Sequence, residues 1–294
     1  MTIAVRQLHP LFVGEVTGVD LRQPPDPATL REIVAASNQH AVLVFPGQAI
    51  DDDQQIAFSG LLGPLETTIK QIRPGHKLRL NAHISDVSNL DEEGGILTKD
   101  DRRLMNGLGN RLWHTDSSFK AVPARYSLLS ARALPPTGGE TEFADLRAAY
   151  DALPEETKAR LEGLVAEHSI LYSRSTIGFT DFSAEEHAAL KPVPQLMVRV
   201  HPGSGRKTLY LASHAMMVRG LTVPEGRLLL RELIEHATQR QFVYTHRWQL
   251  GDLVMWDDRC TMHRAMPYDP AIKRDMHRTT VSDGVSTLAQ AMVA

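Results

Sequence analysis

Residues 112–119 read Leu-Trp-His-Thr-Asp-Ser-Ser-Phe, and they place the imidazole of His114 two positions before the carboxylate of Asp116. In a β-strand, side chains two positions apart project from the same face. The pattern therefore predicts a strand that offers two ligands to one metal ion. His-x-Asp alone is weak evidence, because 13 histidines and 35 acidic residues produce such pairs by chance.

A third metal ligand is expected from His263, which follows a strong strand-like run at residues 253–256. Two histidines and one carboxylate on one face of a metal are typical of non-haem iron(II) oxygenases, since this set leaves coordination positions open. His114, Asp116 and His263 are therefore the candidate metal ligands and catalytic centre.

Two further residues strengthen this interpretation. Thr141 lies in the segment Gly138-Gly139-Glu140-Thr141, and Arg274 follows His263 just before the next strand-like run. Arginine can hold a carboxylate through two parallel hydrogen bonds. Taken singly, Thr141 could be a turn hydroxyl and Arg274 a solvated charge, so only their combination with the metal triad favours a function.

The periodicity of the remaining chain predicts a mainly β fold with α insertions and a jelly-roll core. Alternating or apolar runs indicate strands at 41–45, 126–133, 195–201, 208–212, 241–248, 253–256 and 277–281. Helical spacing indicates helices at 26–40, 51–62, 146–164 and 223–238. A hairpin turn is expected at 202–205, where Pro and Gly join two of the strands.

We expect a single domain spanning residues 1–294, an ordinary size for one elaborated core. Residues 66–110 are polar and irregular, and long segments of this kind are often active-site lids. The segment is therefore predicted to be a lid that is mobile without substrate.

Composition excludes several classes of protein. The chain has no apolar stretch of membrane-spanning length and no secretory signal at its start, and its one cysteine is Cys260. A net charge of −3 argues against nucleic acid as a partner. These features predict a cytoplasmic protein with a small-molecule substrate, no membrane or nucleic-acid partner, and homo-oligomeric assembly.

Longer motifs carry a specific family resemblance. They are His9-Pro10-Leu11-Phe12, the segment 112–119 quoted above, and the runs at 147–154 and 251–257. With these motifs the chain resembles the taurine dioxygenase family of Fe(II)/2-oxoglutarate enzymes over nearly its whole length. Within that family the likeness is greatest to the dioxygenases that act on 2,4-dichlorophenoxyacetate.

The resemblance implies a double-stranded β-helix core with His114, Asp116 and His263 as iron ligands. It further implies that Thr141 and Arg274 hold the distal carboxylate of 2-oxoglutarate, and that Arg278 lies near the carboxylates of co-substrate and substrate. Fe(II), 2-oxoglutarate and O₂ are thus the expected cofactor and co-substrates.

The same resemblance implies hydroxylation of a small anion, an aryloxyacetate, to give a phenol and glyoxylate with succinate and CO₂. Such a substrate needs a cationic clamp, for which the candidates are Lys70, Lys99, His201, His214 and Arg278. Lys70 and Lys99 could instead be solvated loop charges, and His201 could hydrogen-bond to backbone carbonyls.

Two alternatives stay open at this point. One is a dioxygenase of the same family acting on taurine, another sulfonate or another small carboxylate. The other is a non-catalytic jelly-roll protein that binds metal for stability or sensing, which would have no need for Thr141 and Arg274 together. Motifs of hydrolases and nucleotide-binding proteins are absent from the sequence.

Overall fold

The computed structural model describes residues 2–75 and 77–291 of the 294-residue chain. Within these residues the strands are short, and most of them are largely buried. They are β1 (Ala4–Gln7), β2 (Gly14–Thr17), β3 (Val42–Phe45), β4 (Ser85–Asp86), β5 (Ala124–Ala133), β6 (Thr141–Asp145), β7 (Val165–His168), β8 (Val193–Leu196), β9 (Val198–Val200), β10 (Lys207–Leu209), β11 (Ala215–Val218), β12 (Val243–His246), β13 (Leu253–Asp257), β14 (Thr261–Ala265) and β15 (Asp275–Ser282).

Helices lie between and around these strands. The α-helices of the described chain are α1 (Pro27–His40), α2 (Asp52–Leu62), α3 (Arg102–Gly107), α4 (Leu146–Asp151), α5 (Glu155–Leu161), α6 (Ile170–Ser175), α7 (Ala184–Ala189), α8 (Val223–Ala237) and α9 (Thr287–Ala291). Short 3₁₀ turns occupy Ile69–Ile72, Leu108–Arg111 and Arg240–Phe242.

The largest sheet has the strand order β1-β2-β3-β13-β5-β15-β4 and is antiparallel except where β2 runs beside β3. A second sheet, in the order β12-β6-β14, is fully antiparallel. Two smaller antiparallel pairings, β11-β7-β8 and β10-β9, extend the β structure. Strands distant in the sequence therefore lie side by side, which brings β14 and β15 close to the segment of His114.

One hydrophobic cluster joins the two main sheets. It takes Leu129, Trp256 and Met276 from the large sheet and Phe143 from β6, and all four side chains are almost fully buried. Side chains of the two sheets that face each other exclude water. Their burial stabilises the face-to-face packing by about 25 cal/mol of free energy per Å² of apolar surface. The ring of His263 packs against Phe143 and Trp256 of this layer.

The outer faces of both sheets are covered by helices. Helices α1 and α2 pack on the large sheet through a cluster that includes Ile33, Phe58 and Leu128. Helix α8 packs Leu229, Leu230 and Leu233 into a cluster on the far side of the β6–β14 sheet. The prediction of a sheet-rich core with helical insertions is confirmed.

Local signals in the sequence explain where the main helices begin. The side chain of Asp26 caps α1 at the backbone nitrogens of Ala28 and Thr29, and Asp51 and Thr222 form capping boxes at the starts of α2 and α8. These caps satisfy amide groups that have no partner inside the helix. The predicted helices at 26–40, 51–62 and 223–238 are confirmed to within a residue or two.

Three predicted elements differ from the structure. The helix expected at 146–164 is two short helices, α4 and α5, because Pro154 stands between them as the N-cap of α5. The strand expected at 195–201 is divided into β8 and β9, which belong to different sheets. His114 lies in an isolated β-bridge and not in a strand, since regular pairing with its neighbour does not continue.

The segment 66–110 crosses the open end of the site. Its residues 85–86 form β4 at the edge of β15, and the backbone nitrogens of Val87 and Asn89 donate to Met276 and Arg274. On either side of this attachment the described segment is largely loops, short 3₁₀ turns and α3. No helix among the described residues is long and apolar enough to cross a membrane.

Candidate metal and co-substrate site

A backbone bridge brings the first and third predicted metal ligands together. The amide nitrogens of His114 and His263 each donate to the other residue's carbonyl oxygen, at 3.0 and 2.8 Å. The two imidazole centroids lie 4.2 Å apart with an angle of 45° between the rings. The tertiary fold therefore places two histidines from distant segments side by side.

The carboxylate of Asp116 completes the group. Its Oδ1 lies 3.9 Å from His114 Nε2 and its Oδ2 lies 3.7 Å from His263 Nε2, and one ligand atom from each residue falls within 4.8 Å of the others. All three residues are buried. One metal ion between them could contact two nitrogens and one oxygen, so the chemistry of the set fits a ferrous ion with open positions.

The protonation state of these side chains suits metal binding. Burial lowers the pKa of His114 to about 4 and lowers that of His263 well below its usual value, so both rings are neutral near pH 7. His114 Nδ1 lies 2.7 Å from the carbonyl oxygen of Leu112, which leaves Nε2 for a metal. Neutral imidazole with its second nitrogen held by a carbonyl is the usual form of a histidine ligand.

Asp116 is fixed from several directions. Ser127 Oγ donates to its Oδ2 at 2.8 Å, Arg278 Nη1 donates to its Oδ1 at 2.5 Å, and its amide nitrogen donates to Asp258. Burial by itself would raise the pKa of Asp116, but the charge of Arg278 lowers it to about 2. Asp116 is thus an anion at neutral pH. Burial and the charge of Asp116 raise the pKa of Asp258 well above its usual value.

Arg274 is buried beside this group and has no carboxylate within ion-pair distance among the described residues. Its Nη1 and Nη2 make long hydrogen bonds of 3.3 Å to the carbonyl oxygens of Val87 and Gly139, and its Nε has no hydrogen-bond partner in the described part of the chain. The guanidinium stacks over Tyr268 at 5.3 Å. A buried cation without an anion is costly, so this arrangement fits an anionic ligand.

The close packing of the backbone against the Arg274 side chain depends on Gly139, two positions before Thr141. Gly139 has a φ of 76°, and a Cβ there would lie 3.2 Å from Arg274 Nε. Thr141 Oγ1 accepts a hydrogen bond of 3.0 Å from Trp248 Nε1, which leaves the hydroxyl proton free to donate. Thr141, Arg274 and Arg278 line one small pocket together with His114 and His263. The structure therefore brings all the residues predicted for co-substrate and metal together.

A larger cavity of about 340 Å³ opens in front of this pocket. His114, Asp116, Arg274 and Arg278 form part of its inner wall, while much of its outer wall comes from the described part of residues 66–110. The cavity carries many cationic groups and few acidic ones. A small anion such as a carboxylate is the class of ligand that this lining favours.

The residues predicted to contact the substrate do not all line the cavity. His214 lies deep in the cavity, with its ring centroid 5.9 Å from that of His114 and its Nδ1 2.8 Å from Ser173 Oγ. Lys70 also lines the cavity, where its Nζ donates to the carbonyl oxygen of Asp86 at 2.8 Å. Lys99 lines it from an exposed position on the loop.

His201 does not reach the cavity. Its Nε2 lies 2.9 Å from Asp257 Oδ2 and its Nδ1 lies 2.8 Å from Ser204 Oγ, and the ring is fully buried on the hairpin between β9 and β10. Asp257 also pairs with Arg259. The position of His201 corrects its prediction as a substrate contact, because its ring nitrogens are already used in a structural network.

Arg174 is a cavity residue that the sequence analysis missed. It lies on the short helix α6, is buried, and contacts neutral partners. The sequence pattern predicted no helix at α6, and an arginine in this segment is hard to distinguish from an ordinary surface charge. Only the packing of α6 against residues 106–110 places this side chain in the site.

Comparison with known proteins identifies the family to which this chain belongs. Residues 4–280 match the family described as Taurine catabolism dioxygenase TauD, TfdA family, and the chain belongs to this family. It is 48% identical over 283 residues, 96% of this chain and 99% of the other, to the alpha-ketoglutarate-dependent 2,4-dichlorophenoxyacetate dioxygenase of Cupriavidus pinatubonensis. It is 38% identical to the (S)-phenoxypropionate/alpha-ketoglutarate-dioxygenase of Sphingobium herbicidovorans, with 98% of each chain covered.

A solved structure agrees with these relatives. The crystal structure of AAD-2 in complex with Mn(II) and N-oxalylglycine superposes with a TM-score of 0.90 at 54% identity, covering 98% of this chain and 99% of that one. The predicted family is thereby confirmed. Alpha-ketoglutarate is another name for 2-oxoglutarate, so the relatives named above share the predicted co-substrate.

Proposed function

We propose that this chain is an Fe(II)- and 2-oxoglutarate-dependent dioxygenase that hydroxylates an aryloxyacetate such as 2,4-dichlorophenoxyacetate. The observation that carries the proposal is the convergence of His114, Asp116 and His263 beside Arg274, a buried cation that lacks a carboxylate partner among the described residues. The names of relatives 48% and 38% identical support the substrate class.

His114, Asp116 and His263 would hold the iron. Their ligand atoms converge, their imidazoles are neutral, and the single negative charge of Asp116 would offset part of the charge of a divalent ion. When bound, iron with 2-oxoglutarate and O₂ would supply an oxidant strong enough to attack a C–H bond, which side chains cannot provide.

Thr141 and Arg274 would hold the distal carboxylate of 2-oxoglutarate. Arg274 offers a planar set of donors, one of which has no partner within residues 2–75 and 77–291, and the Thr141 hydroxyl can add another. Arg278, which pairs with Asp116, would orient that ligand and lie near both carboxylates. Together these residues would fix the direction from which the co-substrate approaches the metal.

The cavity would hold the substrate, with His214, Lys70, Lys99 and Arg278 as the cationic or polar groups on its wall. Hydroxylation at the carbon between the ether oxygen and the carboxylate gives a hemiacetal, which collapses to a phenol and glyoxylate. 2-Oxoglutarate is converted to succinate and CO₂ in the same turnover. The protein's part is to place that carbon near the metal and to exclude water.

The architecture proposed for this site is a jelly roll, or double-stranded β-helix, in one domain. Two mainly antiparallel sheets that share a buried layer, with His263 packed against Phe143 and Trp256 of that layer, support it. Residues 66–110 would act as the lid, anchored at β4 and able to move on either side of it. A cytoplasmic location and assembly into a homo-oligomer stay predictions of the sequence.

The test is anaerobic reconstitution followed by turnover. Fe(II) and 2-oxoglutarate should give a weak charge-transfer absorption band with the wild-type protein and none with His114→Ala. Addition of 2,4-dichlorophenoxyacetate and O₂ should then release a phenol in step with succinate. Absence of the band in the wild type would refute the metal and co-substrate assignment.

Parallel reactions with taurine and with an aliphatic carboxylate separate the alternatives. Succinate release coupled to oxidation of taurine, and not of the aryloxyacetate, would move the substrate to the sulfonate class. A band without coupled oxidation of any of these compounds would contradict the aryloxyacetate proposal.

A further inference from the structure

We infer that Arg174 binds the carboxylate of the substrate and is the residue that selects anionic substrates. This inference rests on the proposed function, because it assigns the anchor for the aryloxyacetate in the cavity described above. It adds a residue of helix α6 to a site whose other cations lie on the lid, at Arg111 and Lys120, on β15 or just before it.

The pairing of charges on the cavity wall indicates Arg174 as the anchor. Several of its cations already have carboxylate partners: Arg79 pairs with Asp86 and Asp275, Arg103 with Asp101 and Glu92, Lys120 with Glu66, and Arg278 with Asp116. Arg174 and Arg274 are the buried arginines of this wall that have no carboxylate within ion-pair distance among the described residues. Two anionic ligands must bind in the same space, so each arginine can receive one.

The partners of Arg174 are neutral and leave donors available. Its Nε donates to Asn106 Oδ1 at 2.9 Å, whereas Nη1 and Nη2 make only long contacts of 3.4 Å to Ser173 Oγ and Asn110 Oδ1. Burial lowers the pKa of Arg174 to about 10, so it is still protonated at neutral pH. An uncompensated guanidinium of this kind favours a carboxylate.

The position of Arg174 distinguishes it from the other cationic candidates for the anchor of the substrate carboxylate. In an aryloxyacetate the carbon to be oxidised is bonded directly to the carboxylate carbon, so the anchor must lie close to the metal ligands. Arg174 exerts its charge on both His114 and His214, and Ser173 beside it contacts His214. Lys99 is exposed on the loop, and Lys70 already donates to a backbone carbonyl.

The backbone of the lid is shaped around this side chain. A Cβ on Gly109 would lie 2.2 Å from the guanidinium carbon of Arg174, so the arginine occupies the space that any other residue at 109 would fill. Gly109 thus lets Arg174 lie flat against the 3₁₀ turn Leu108–Arg111. A purely structural role is the competing explanation, since Arg174 also ties residues 106 and 110 to the body of the protein.

The experiment measures binding, and it compares 2,4-dichlorophenoxyacetate with its neutral carboxamide. Each compound is titrated anaerobically into the Fe(II)–2-oxoglutarate complex, and the change in the charge-transfer band gives the Kd. Arg174→Gln should weaken binding of the carboxylate by roughly 10- to 100-fold and change that of the carboxamide little. Arg174→Lys, which keeps the charge, should restore part of the preference.

Two further variants make the result specific. Gly109→Ala keeps the charge but displaces the guanidinium, so it should reduce the preference for the carboxylate as well. Arg219→Gln removes an exposed arginine that pairs with Glu167 away from the cavity, and it should leave the ratio of the two Kd values unchanged.

Arg174→Gln or Gly109→Ala with the wild-type ratio and an intact charge-transfer band would overturn the assignment of Arg174 alone. A wild-type protein that forms the band but responds to no aryloxyacetate would overturn the proposed substrate class, and this inference with it. A structural role would weaken binding of both compounds equally, which would also contradict the inference.

Discussion

His114 and His263 are joined through their main chains, each amide nitrogen donating to the other residue's carbonyl oxygen. The contact between their two segments therefore does not depend on either imidazole. The side chains can be changed with little effect on the pairing that holds them, so the metal site and the fold can be tested separately.

The first prediction follows from that separation. His114→Ala should melt within a few degrees of the wild-type protein without metal, since it removes one buried ring and no backbone bond. Saturating Mn(II) should stabilise the wild type by about 3 kcal/mol at a hundredfold excess over Kd and should not stabilise the variant. Thermal melts with and without metal measure this, with His187→Ala, at an exposed position on α7, as control. An equal metal shift in His114→Ala would contradict the ligand assignment.

The second prediction concerns the co-substrate. Arg274→Gln should raise KM for 2-oxoglutarate roughly 10- to 100-fold, because a charge-assisted pair of hydrogen bonds is replaced by a neutral amide. Steady-state rates of succinate formation give KM. Arg219→Gln serves as control, since Arg219 is exposed and pairs with Glu167. An unchanged KM in Arg274→Gln would remove this residue from the co-substrate site.

The third prediction contrasts two buried arginines. Arg147 and Asp145 form an ion pair in which neither side chain is exposed, so Arg147→Gln leaves a buried carboxylate without its partner. It should lower the free energy of unfolding by about 3–5 kcal/mol. Arg274→Gln removes a cation that has no carboxylate partner among the described residues, and it should leave the ligand-free protein at least as stable. Urea denaturation of both variants checks the contrast, and similar losses would contradict it.

The fourth prediction is a pH dependence. Burial lowers the pKa of His168 to about 3, whereas a histidine in the unfolded chain titrates near 6.5. Between these values the unfolded chain binds a proton that the folded protein does not, so stability falls as the pH falls. By pH 5 this group alone should cost about 2 kcal/mol.

His168→Gln should therefore lose less stability between pH 7 and pH 5 than the wild type, measured by urea denaturation at each pH. The comparison uses the change with pH, so any loss of packing common to both conditions cancels. Substitution of the exposed His187 by Gln controls for removal of a histidine elsewhere. An identical pH slope in His168→Gln and wild type would show that His168 is not the cause.

The fifth prediction tests the proposed lid. Trypsin cleavage should concentrate at Lys70, Arg73, Lys99 or Arg102, on either side of the residues attached to β15 at 85–86. Metal, 2-oxoglutarate and an aryloxyacetate together should slow that cleavage. Fragment masses identify the sites. Resistance of these bonds in the ligand-free protein would count against a mobile lid.

Elements that depend on neighbouring residues could be predicted from the order of the amino acids. Helical spacing indicates α1, α2 and α8, because helix periodicity acts within a few positions, and in the structure the caps at Asp26, Asp51 and Thr222 fix where these helices begin. The His-x-Asp pair and the motifs around it pointed to the metal group and, through the family resemblance, to Thr141 and Arg274. The single helix predicted over 146–164 did not take account of Pro154, a local signal that divides it into α4 and α5.

Which charged groups are compensated depends on the three-dimensional fold and could not be predicted from local sequence. His201 carried a plausible local motif, yet the fold places Asp257 against it, and Arg278 is paired with Asp116. Arg174 had no motif, yet the fold buries it among neutral partners in the cavity. Charge pairing depends on distances of a few ångströms between residues far apart in the chain, and local sequence contains no measure of those distances.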